Sequence, residues 1–193
     1  MKRLIVIEGF DRCGKDTLLE DLEKYCKKKY LKEVYVFKND LEGLPKYDKE
    51  QGEFLVWLNK YIEKQVDKLN ELFETYDTVV MSRFLISDMV YSELFKREHT
   101  VIKYMEKLRP VMYYNYCMLF RNYDEYLKRL EILGDKVIQY TKEEFDQIKQ
   151  YYHNFCLWEG GISTFKYVNG VEVRQDILEE FIKKYEIYRW KIY

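Results

Sequence analysis

The feature that most constrains this chain is a glycine-bounded loop, Gly9-Phe10-Asp11-Arg12-Cys13-Gly14-Lys15-Asp16-Thr17. The apolar run Leu4–Ile7 precedes it and has the branched residues of a buried strand. Residues 18–25 follow it, with apolar side chains on one helical face. A loop between a strand and a helix can hold phosphate groups through its backbone N–H groups, the helix dipole and a lysine. We therefore predict a site for the phosphates of a nucleoside triphosphate, formed by Gly9, Asp11, Arg12, Cys13, Gly14, Lys15, Asp16 and Thr17.

Position 16 departs from the usual form of such loops, in which a Ser or Thr follows the lysine and ligates Mg²⁺. Asp16 offers a carboxylate, which is also a hard oxygen ligand, and Thr17 offers a hydroxyl one position later. Alternatively, Asp16 is an acidic residue of the first helical turn that the helix dipole favours. Both interpretations stay open, with Asp16 as the predicted metal ligand and Thr17 as its alternative.

Composition limits the class of protein. With 193 residues, 47% of them hydrophobic, the chain is predicted to form a single domain over 1–193. No apolar stretch reaches the length of a membrane span and the N-terminus lacks a signal-peptide core, so we expect a cytoplasmic location. The net charge of -1 gives no argument for nucleic acid or a membrane as a partner. The four cysteines show no metal-ligand spacing, which predicts reduced thiols.

Apolar strand patterns alternate with helical patterns along the rest of the chain. Strands are predicted over 33–38, 78–81, 111–120 and 164–168, and helices over about 50–74, 85–97, 99–108, 123–132, 142–158 and 174–186. Residues 133–141 form a predicted loop, and Asn169-Gly170 a turn. This alternation predicts an α/β fold, a three-layer sandwich with a central parallel sheet of about five strands. Because ligands bind beyond the carboxyl ends of such strands, Lys38 and Arg83 should converge on the loop.

The cations Lys38, Lys60 and Arg83 suggest that the phosphoryl acceptor is itself an anion. A nucleoside would attack through a neutral hydroxyl and would require a carboxylate base. A nucleoside monophosphate attacks with an oxygen that is largely ionised at neutral pH, since its second pKa is about 6. It requires positive charge instead of a base. The second strand ends in lysine, not glutamate, which favours the monophosphate; a solvated surface position is the alternative for each cation.

Several motifs resemble those of the thymidylate kinases, the deoxythymidine monophosphate kinases of the P-loop nucleotide kinase class. Residues 8–15 resemble the family's E-G-x-D-R-x-G-K loop, and residues 83–91 are similar to its D-R-Y-x-x-S-x-x-A-Y segment without the leading Asp. Phe145, Lys149 and Tyr152 match F-x-x-x-R-x-x-Y, and residues 165–168 with 176–177 resemble the last strand and helix. The resemblance implies a P-loop nucleotide kinase fold, ATP as donor, Mg²⁺, a deoxynucleoside monophosphate as acceptor, a lid-like segment at about 133–141 and a homodimer.

The resemblance also implies roles for individual residues. Arg12 would reach the transferred phosphoryl group, as in the subgroup whose lid is poor in arginine, and residues 133–141 contain none. Asp11 would hold the acceptor sugar and Arg83 the acceptor phosphate. Together with Lys15 these are the predicted catalytic residues. The predicted acceptor site comprises Asp11, Lys38, Trp57, Lys60, Arg83, Ser87 and Tyr91. Trp57 would stack on the base and Lys60 contact its edge, although a core role for Trp57 stays open. Tyr91 would lie near the 2′ position.

Two departures from the family pattern bear on the metal and the base. Ser82 stands where the family has an aspartate that helps to hold magnesium. With Asp16, this suggests that the carboxylate has moved from the third strand to the loop. Lys38 replaces a proline- or arginine-bearing stretch, so the base need not be thymine.

Two alternative functions remain. A deoxynucleoside kinase of the same fold would have a glutamate near Lys38 and an acidic residue before Arg83, and the sequence has neither. A degenerate, nucleotide-binding kinase-like protein is supported only by the changes at positions 16 and 82.

Overall fold

A single parallel sheet forms the centre of the molecule. The computed structural model describes residues 2–38, 52–97, 104, 107–108, 111–133, 139–158, 162–168 and 174–187. Its five strands are β1 (Arg3–Gly9), β2 (Val34–Phe37), β3 (Thr78–Ser82), β4 (Met112–Phe120) and β5 (Ile162–Val168). They lie in the order β2-β3-β1-β4-β5, and all neighbouring pairs are parallel. The predicted parallel sheet of about five strands is confirmed.

Helices connect the strands. Within the described ranges these are α1 (Lys15–Lys28), α2 (Gly52–Thr75), α3 (Leu85–Leu94), α4 (Tyr123–Leu133), α5 (Lys142–Trp158) and α6 (Arg174–Lys184). Their bounds lie close to the predicted ones, apart from the end of α3. The predicted 99–108 helix (except residues 104, 107 and 108), the turn at 169–170 and residues 134–138 of the lid-like segment lie outside the described residues.

The helix predicted over 85–97 is shorter than expected and ends at Leu94. Lys96 has a positive φ of 51°, which ends the helical path. The chain then turns so that Arg97 points back along the helix. Its Nε donates to Ser92 Oγ at 3.0 Å and its Nη2 to Asp88 Oδ1 at 3.2 Å. These side-chain contacts depend on the folded turn, and the apolar pattern alone could not reveal them.

Strand β1 buries both of its faces, as its sequence predicts. Ile5 and Ile7 belong to the larger hydrophobic cluster, which includes residues of α1, α3, α5 and α6. Leu4 and Val6 point to the opposite face, where they join a cluster that includes residues of α2. This alternation follows from the two-residue period of a strand. Helices therefore cover both sides of the sheet, which gives the predicted three layers. None of the described helices combines the length and apolarity of a membrane span.

The carboxyl ends of β1, β3 and β4 meet at one edge of the sheet. Ile7 pairs with Ser82 on one side and with Tyr116 on the other, so the segments that follow these strands leave from neighbouring points. The glycine-bounded loop follows β1, and Arg83 follows β3. This register is the physical reason that Asp11 and Arg83, which are 72 positions apart in the sequence, share one site.

Candidate active site

The loop between β1 and α1 has a specific backbone path that glycines permit. Gly9 has φ 128° and Gly14 has φ 94°, both in the region that L-residues rarely adopt. A Cβ on Gly9 would lie 1.9 Å from the carbonyl oxygen of Met118, so only glycine fits beside β4. Gly14 precedes the first turn of α1, and its carbonyl accepts a hydrogen bond from Leu18 N at 2.9 Å.

Phe10 anchors this loop in the core. Its side chain is fully buried and stacks on Phe145 of α5 with ring centroids 4.7 Å apart. The next two residues turn outward, so Asp11 is half-buried and Arg12 is exposed. The loop therefore has a fixed base and two polar side chains that reach the surface at the sheet edge.

Lys15 lies inside the loop. Its side chain is buried, and its Nζ donates to the carbonyl of Phe10 and contacts Cys13 Sγ at 3.6 Å. Cys13 is also buried, and burial raises the pKa of its thiol, although Lys15 opposes that shift. The ammonium group of Lys15 is thus already held on an oxygen atom of the loop.

Arg83 meets the loop from the third strand. Its backbone N donates to Ile7 O at 3.0 Å, and its φ of 53° is left-handed. The guanidinium pairs with the carboxylate of Asp11 and lies 5.9 Å from the ring centre of Tyr91. Burial lowers the pKa of Arg83, but the oxygens of Tyr91, Tyr152 and Glu8 outweigh it, and the net shift is upward. The structure therefore brings Asp11, Lys15, Arg83 and Tyr91 into one group, and their predicted roles toward a ligand stay predictions.

Tyr140 is a member of this group that the sequence analysis missed. Its hydroxyl donates to Asp11 Oδ2 at 3.2 Å, so Asp11 binds Arg83 and Tyr140 with its two oxygens. Tyr126 and Tyr123 hold the backbone N and O of Tyr140, each at 2.9 Å. The side chain is buried, and burial raises the pKa of the phenol far above its usual value. Tyr140 thus joins the end of the lid-like segment to the loop.

A sequence signal does exist for the position of Tyr140. Thr141 and Glu144 form a reciprocal capping box at the start of α5. Glu144 N bonds to Thr141 Oγ1 at 3.2 Å, and Thr141 N bonds to Glu144 Oε2 at 2.7 Å. The T-x-x-E pattern at 141–144 fixes the start of the helix, and Tyr140 is the residue directly before it.

Ser87 faces the interior in the structure. Its hydroxyl donates to the fully buried carboxylate of Glu8 and lies 3.1 Å from Tyr152 Oη. Tyr152 in turn donates to the carbonyl of Gly9 at 2.9 Å. Burial raises the pKa of Glu8, while the hydrogen bonds from Ser87 and Phe84 act in the opposite direction. These contacts place Ser87 behind Arg83, at the base of the site.

Asp16 and Ser82 are neighbours. Ser82 Oγ donates to Asp16 Oδ1 at 3.3 Å, although the two residues come from the loop helix and from the end of β3. Asp16 is exposed and Thr17 is half-buried. A carboxylate and hydroxyl groups are oxygen donors of the kind that Mg²⁺ binds. The side chains at this point therefore fit the metal that the resemblance implies.

Of the remaining predicted acceptor residues, Lys38 and Trp57 have other partners and Lys60 is exposed. Lys38 follows β2 and forms an ion pair with Glu23 of α1 at 2.7 Å. Trp57 is half-buried and stacks on Tyr61 of its own helix with centroids 4.8 Å apart, so its ring has a packing partner within α2. Lys60 is exposed on α2. Their predicted contacts with an acceptor stay predictions.

Comparison with known proteins supports the fold. No protein-family model and no curated relative matches the sequence. Among solved structures, the YorR protein of Bacillus subtilis, in complex with phosphorylated GDP, is 21% identical, with a TM-score of 0.59 over 98% of this chain and 99% of that one. A deoxyadenosine kinase from M. mycoides with dCMP and dCDP bound is 15% identical, with a TM-score of 0.61 over 95% and 98%. The Candida albicans thymidylate kinase is 13% identical, with a TM-score of 0.59 over 97% and 94%. The chain therefore has the P-loop nucleotide kinase fold that the resemblance to thymidylate kinases implied.

Proposed function

We propose that this chain is an ATP-dependent kinase that phosphorylates a deoxynucleoside monophosphate, with dTMP as the first acceptor to test. The observation that carries the proposal is the contact between Arg83 and Asp11, which brings a guanidinium group to the loop that contains Lys15. Two cations at one edge of the sheet suit a reaction between two anions. Arg83 is also a planar donor that matches phosphate geometry.

The proposed reaction needs no general base. An ionised oxygen of the acceptor phosphate attacks the γ-phosphorus of ATP, and the bond from that phosphorus to the β–γ bridging oxygen breaks. ADP and the nucleoside diphosphate are the products. Lys15 exchanges the Phe10 carbonyl for the outer phosphates, and the exposed Arg12 reaches the transferred group. Arg83 exchanges Asp11 for the acceptor phosphate, which frees the Asp11 carboxylate to accept a hydrogen bond from the sugar.

The pairing of Asp16 with Ser82 supports a relocated magnesium ligand. When bound, Mg²⁺ would neutralise the phosphate charge, and Asp16 and Ser82 would hold it, with Thr17 as an alternative ligand. The hypothesis predicts that the double variant Asp16→Ser, Ser82→Asp retains Mg²⁺-dependent ADP binding and activity. In this variant the carboxylate moves from the start of α1 to the end of β3, so one carboxylate is kept at the same site. Calorimetry with and without Mg²⁺ measures the binding directly. Loss in both single variants and also in the pair would refute the exchange.

A panel of acceptors tests the main proposal. Purified protein with Mg²⁺ and ATP is assayed for ADP release with dTMP, dUMP, dGMP and dCMP, and with thymidine, deoxyadenosine and deoxycytidine. Guanine and cytosine nucleotides belong in the panel because similar structures carry phosphorylated GDP and dCMP. We expect turnover with at least one monophosphate and none with nucleosides. Consumption of thymidine but not of dTMP would overturn the charge argument.

The deoxyadenosine kinase among the similar structures keeps a deoxynucleoside kinase as the second candidate. Arg83→Met separates the two. If Arg83 binds an acceptor phosphate, losing a charge-assisted hydrogen bond of about 1.5–3 kcal/mol raises the KM for the monophosphate by roughly 10- to 150-fold. The KM for ATP should change little. A neutral acceptor would show no such selective effect. Tight ATP binding without turnover for any acceptor would favour the degenerate kinase-like protein instead.

A further inference from the structure

Glu8 is a buried carboxylate for which the proposed reaction has no direct use. It is the penultimate residue of β1, is fully buried, and accepts hydrogen bonds from Phe84 N at 3.0 Å and from Ser87 Oγ. A buried carboxylate is costly unless its charge is compensated. Here both partners belong to the segment that starts at Arg83. The contacts of Glu8 therefore suggest that it acts on the position of Arg83.

The segment after β3 requires an external support. Arg83 adopts a left-handed φ of 53°, which costs a non-glycine residue about 1–2 kcal/mol. Phe84 occupies the N-cap position of α3, and its apolar side chain forms no capping hydrogen bond. The first turn of a helix leaves backbone N–H groups without helical partners, and a carboxylate there is favoured by the helix dipole. Glu8 supplies this cap from another strand.

We propose that Glu8 is the positioning residue that holds Arg83 against Asp11; this inference rests on the proposed function of Arg83. Two successive backbone amides, those of Arg83 and Phe84, bond to two successive residues of β1, through Ile7 O and Glu8 Oε1. The Ser87 hydroxyl binds the other carboxylate oxygen one turn later. Arg83 thus leaves the strand in a fixed direction, and its guanidinium reaches the loop.

The same carboxylate also connects Arg83 to the phosphate-binding loop from behind. Ser87 Oγ lies 3.1 Å from Tyr152 Oη, and Tyr152 donates to Gly9 O at 2.9 Å. The start of the loop and the start of α3 are therefore joined through buried groups. Since Gly9 begins the loop that contains Asp11, both members of the Arg83–Asp11 pair depend on this network.

A positioning role and a purely electrostatic role of Glu8 predict opposite changes in the acceptor KM when this carboxylate is removed. If Glu8 acted only through its negative charge, neutralising it would strengthen the field of Arg83 and lower the KM for an anionic acceptor. If Glu8 positions Arg83, its loss lets the guanidinium move and raises that KM. The direction of the change therefore separates the two roles, which a stability measurement could not do.

The test compares Glu8→Gln and Ser87→Ala with wild type, using the monophosphate that gives the highest turnover. Weakening a hydrogen bond to a charged group should raise the acceptor KM by about 10-fold or more in Glu8→Gln, and less in Ser87→Ala. The ATP KM should change less than the acceptor KM, because Lys15 keeps its own contact with the Phe10 carbonyl. Asn115→Ala is the matched control, because Asn115 is a fully buried polar residue in the middle of β4 that bonds to Ser163 Oγ at 3.4 Å. It should lose stability without the selective change in KM.

A second readout keeps this inference separate from the proposed function. The side-chain Nε–H signal of Arg83 in a ¹⁵N NMR spectrum, assigned with Arg83→Lys, reports the position of the guanidinium without any turnover. We expect that signal to shift and broaden in Glu8→Gln and to stay unchanged in Asn115→Ala. An unchanged Arg83 signal, or an acceptor KM that is equal to or below wild type in folded Glu8→Gln, would overturn the role of Glu8. Absence of monophosphate turnover in wild type would count only against the proposed function, because the NMR test remains.

Discussion

Gly9→Ala is the substitution whose cost is best defined by the structure. The new Cβ would lie 1.9 Å from Met118 O, about 1.5 Å short of the 3.4 Å at which ordinary contact begins. Relief requires β1 and β4 to separate where Phe10 N bonds to Met118 O at 3.2 Å. Losing that hydrogen bond costs about 1 kcal/mol, and the φ of 128° adds about 1–3 kcal/mol of strain. We expect a loss of at least about 2–4 kcal/mol in the free energy of unfolding.

Gly14→Ala is the matched control for this prediction. Gly14 also has a positive φ, but the nearest atom to its added Cβ is Met118 Cε at 3.9 Å. Only the backbone strain of about 1–2 kcal/mol should apply. At about 2–4 °C per kcal/mol for a domain of this size, thermal unfolding followed by circular dichroism should give Gly9→Ala the larger fall in Tm. Equal falls for the two variants would refute the close approach of β1 and β4.

Three further predictions concern charges and buried groups. Lys27 and Lys38 lower the pKa of Glu23 to about 2. The contribution of ionised Glu23 to the free energy of unfolding is therefore complete above about pH 4.5 and is lost as the pH falls toward 2. Lys38→Ala should raise that pKa in a carboxyl NMR titration. Tyr140→Phe removes a hydrogen bond to the Asp11 carboxylate and should raise the acceptor KM by about 10-fold or more. All four cysteines are buried, so a thiol reagent should label the native protein slowly and the unfolded protein fully; fast native labelling would contradict this burial.

The sequence predicts the fold and part of the site because both follow from local patterns. The branched apolar runs of β1 and β3 identify buried strands, and the alternation of strands with helices requires parallel neighbours. Once the strands are parallel, residues at their carboxyl ends share an edge, which brings Arg83 to the loop without any knowledge of side chains. The geometry of the backbone was therefore sufficient to predict that Asp11, Lys15 and Arg83 lie at the same edge of the sheet.

Side-chain partners were harder to predict, because they depend on residues that pack only in the folded state. Lys38 does follow β2, as predicted, but Glu23 on α1 binds its ammonium group. Tyr140 precedes α5 in a segment whose pattern predicts only a loop, and it reaches Asp11 because Tyr126 and Tyr123 fix its backbone. Lys38 and Tyr140 show that the end of a strand or helix can be predicted from the sequence, whereas the direction of the side chain next to it cannot.

The oxygens that hold Lys15 and Arg83 also bear on the proposed acceptor. Lys15 donates to the Phe10 carbonyl and Arg83 pairs with the Asp11 carboxylate, so the loop itself supplies a partner for each cation. This pairing lowers the repulsion between two cations at one sheet edge. A ligand must then replace an existing charge-assisted contact, and its affinity is the difference between the new contact and the old one. A doubly charged phosphate can bind Arg83 more strongly than a single carboxylate does, whereas a neutral sugar hydroxyl cannot. This difference is the physical argument for the nucleoside monophosphate that we propose as the acceptor.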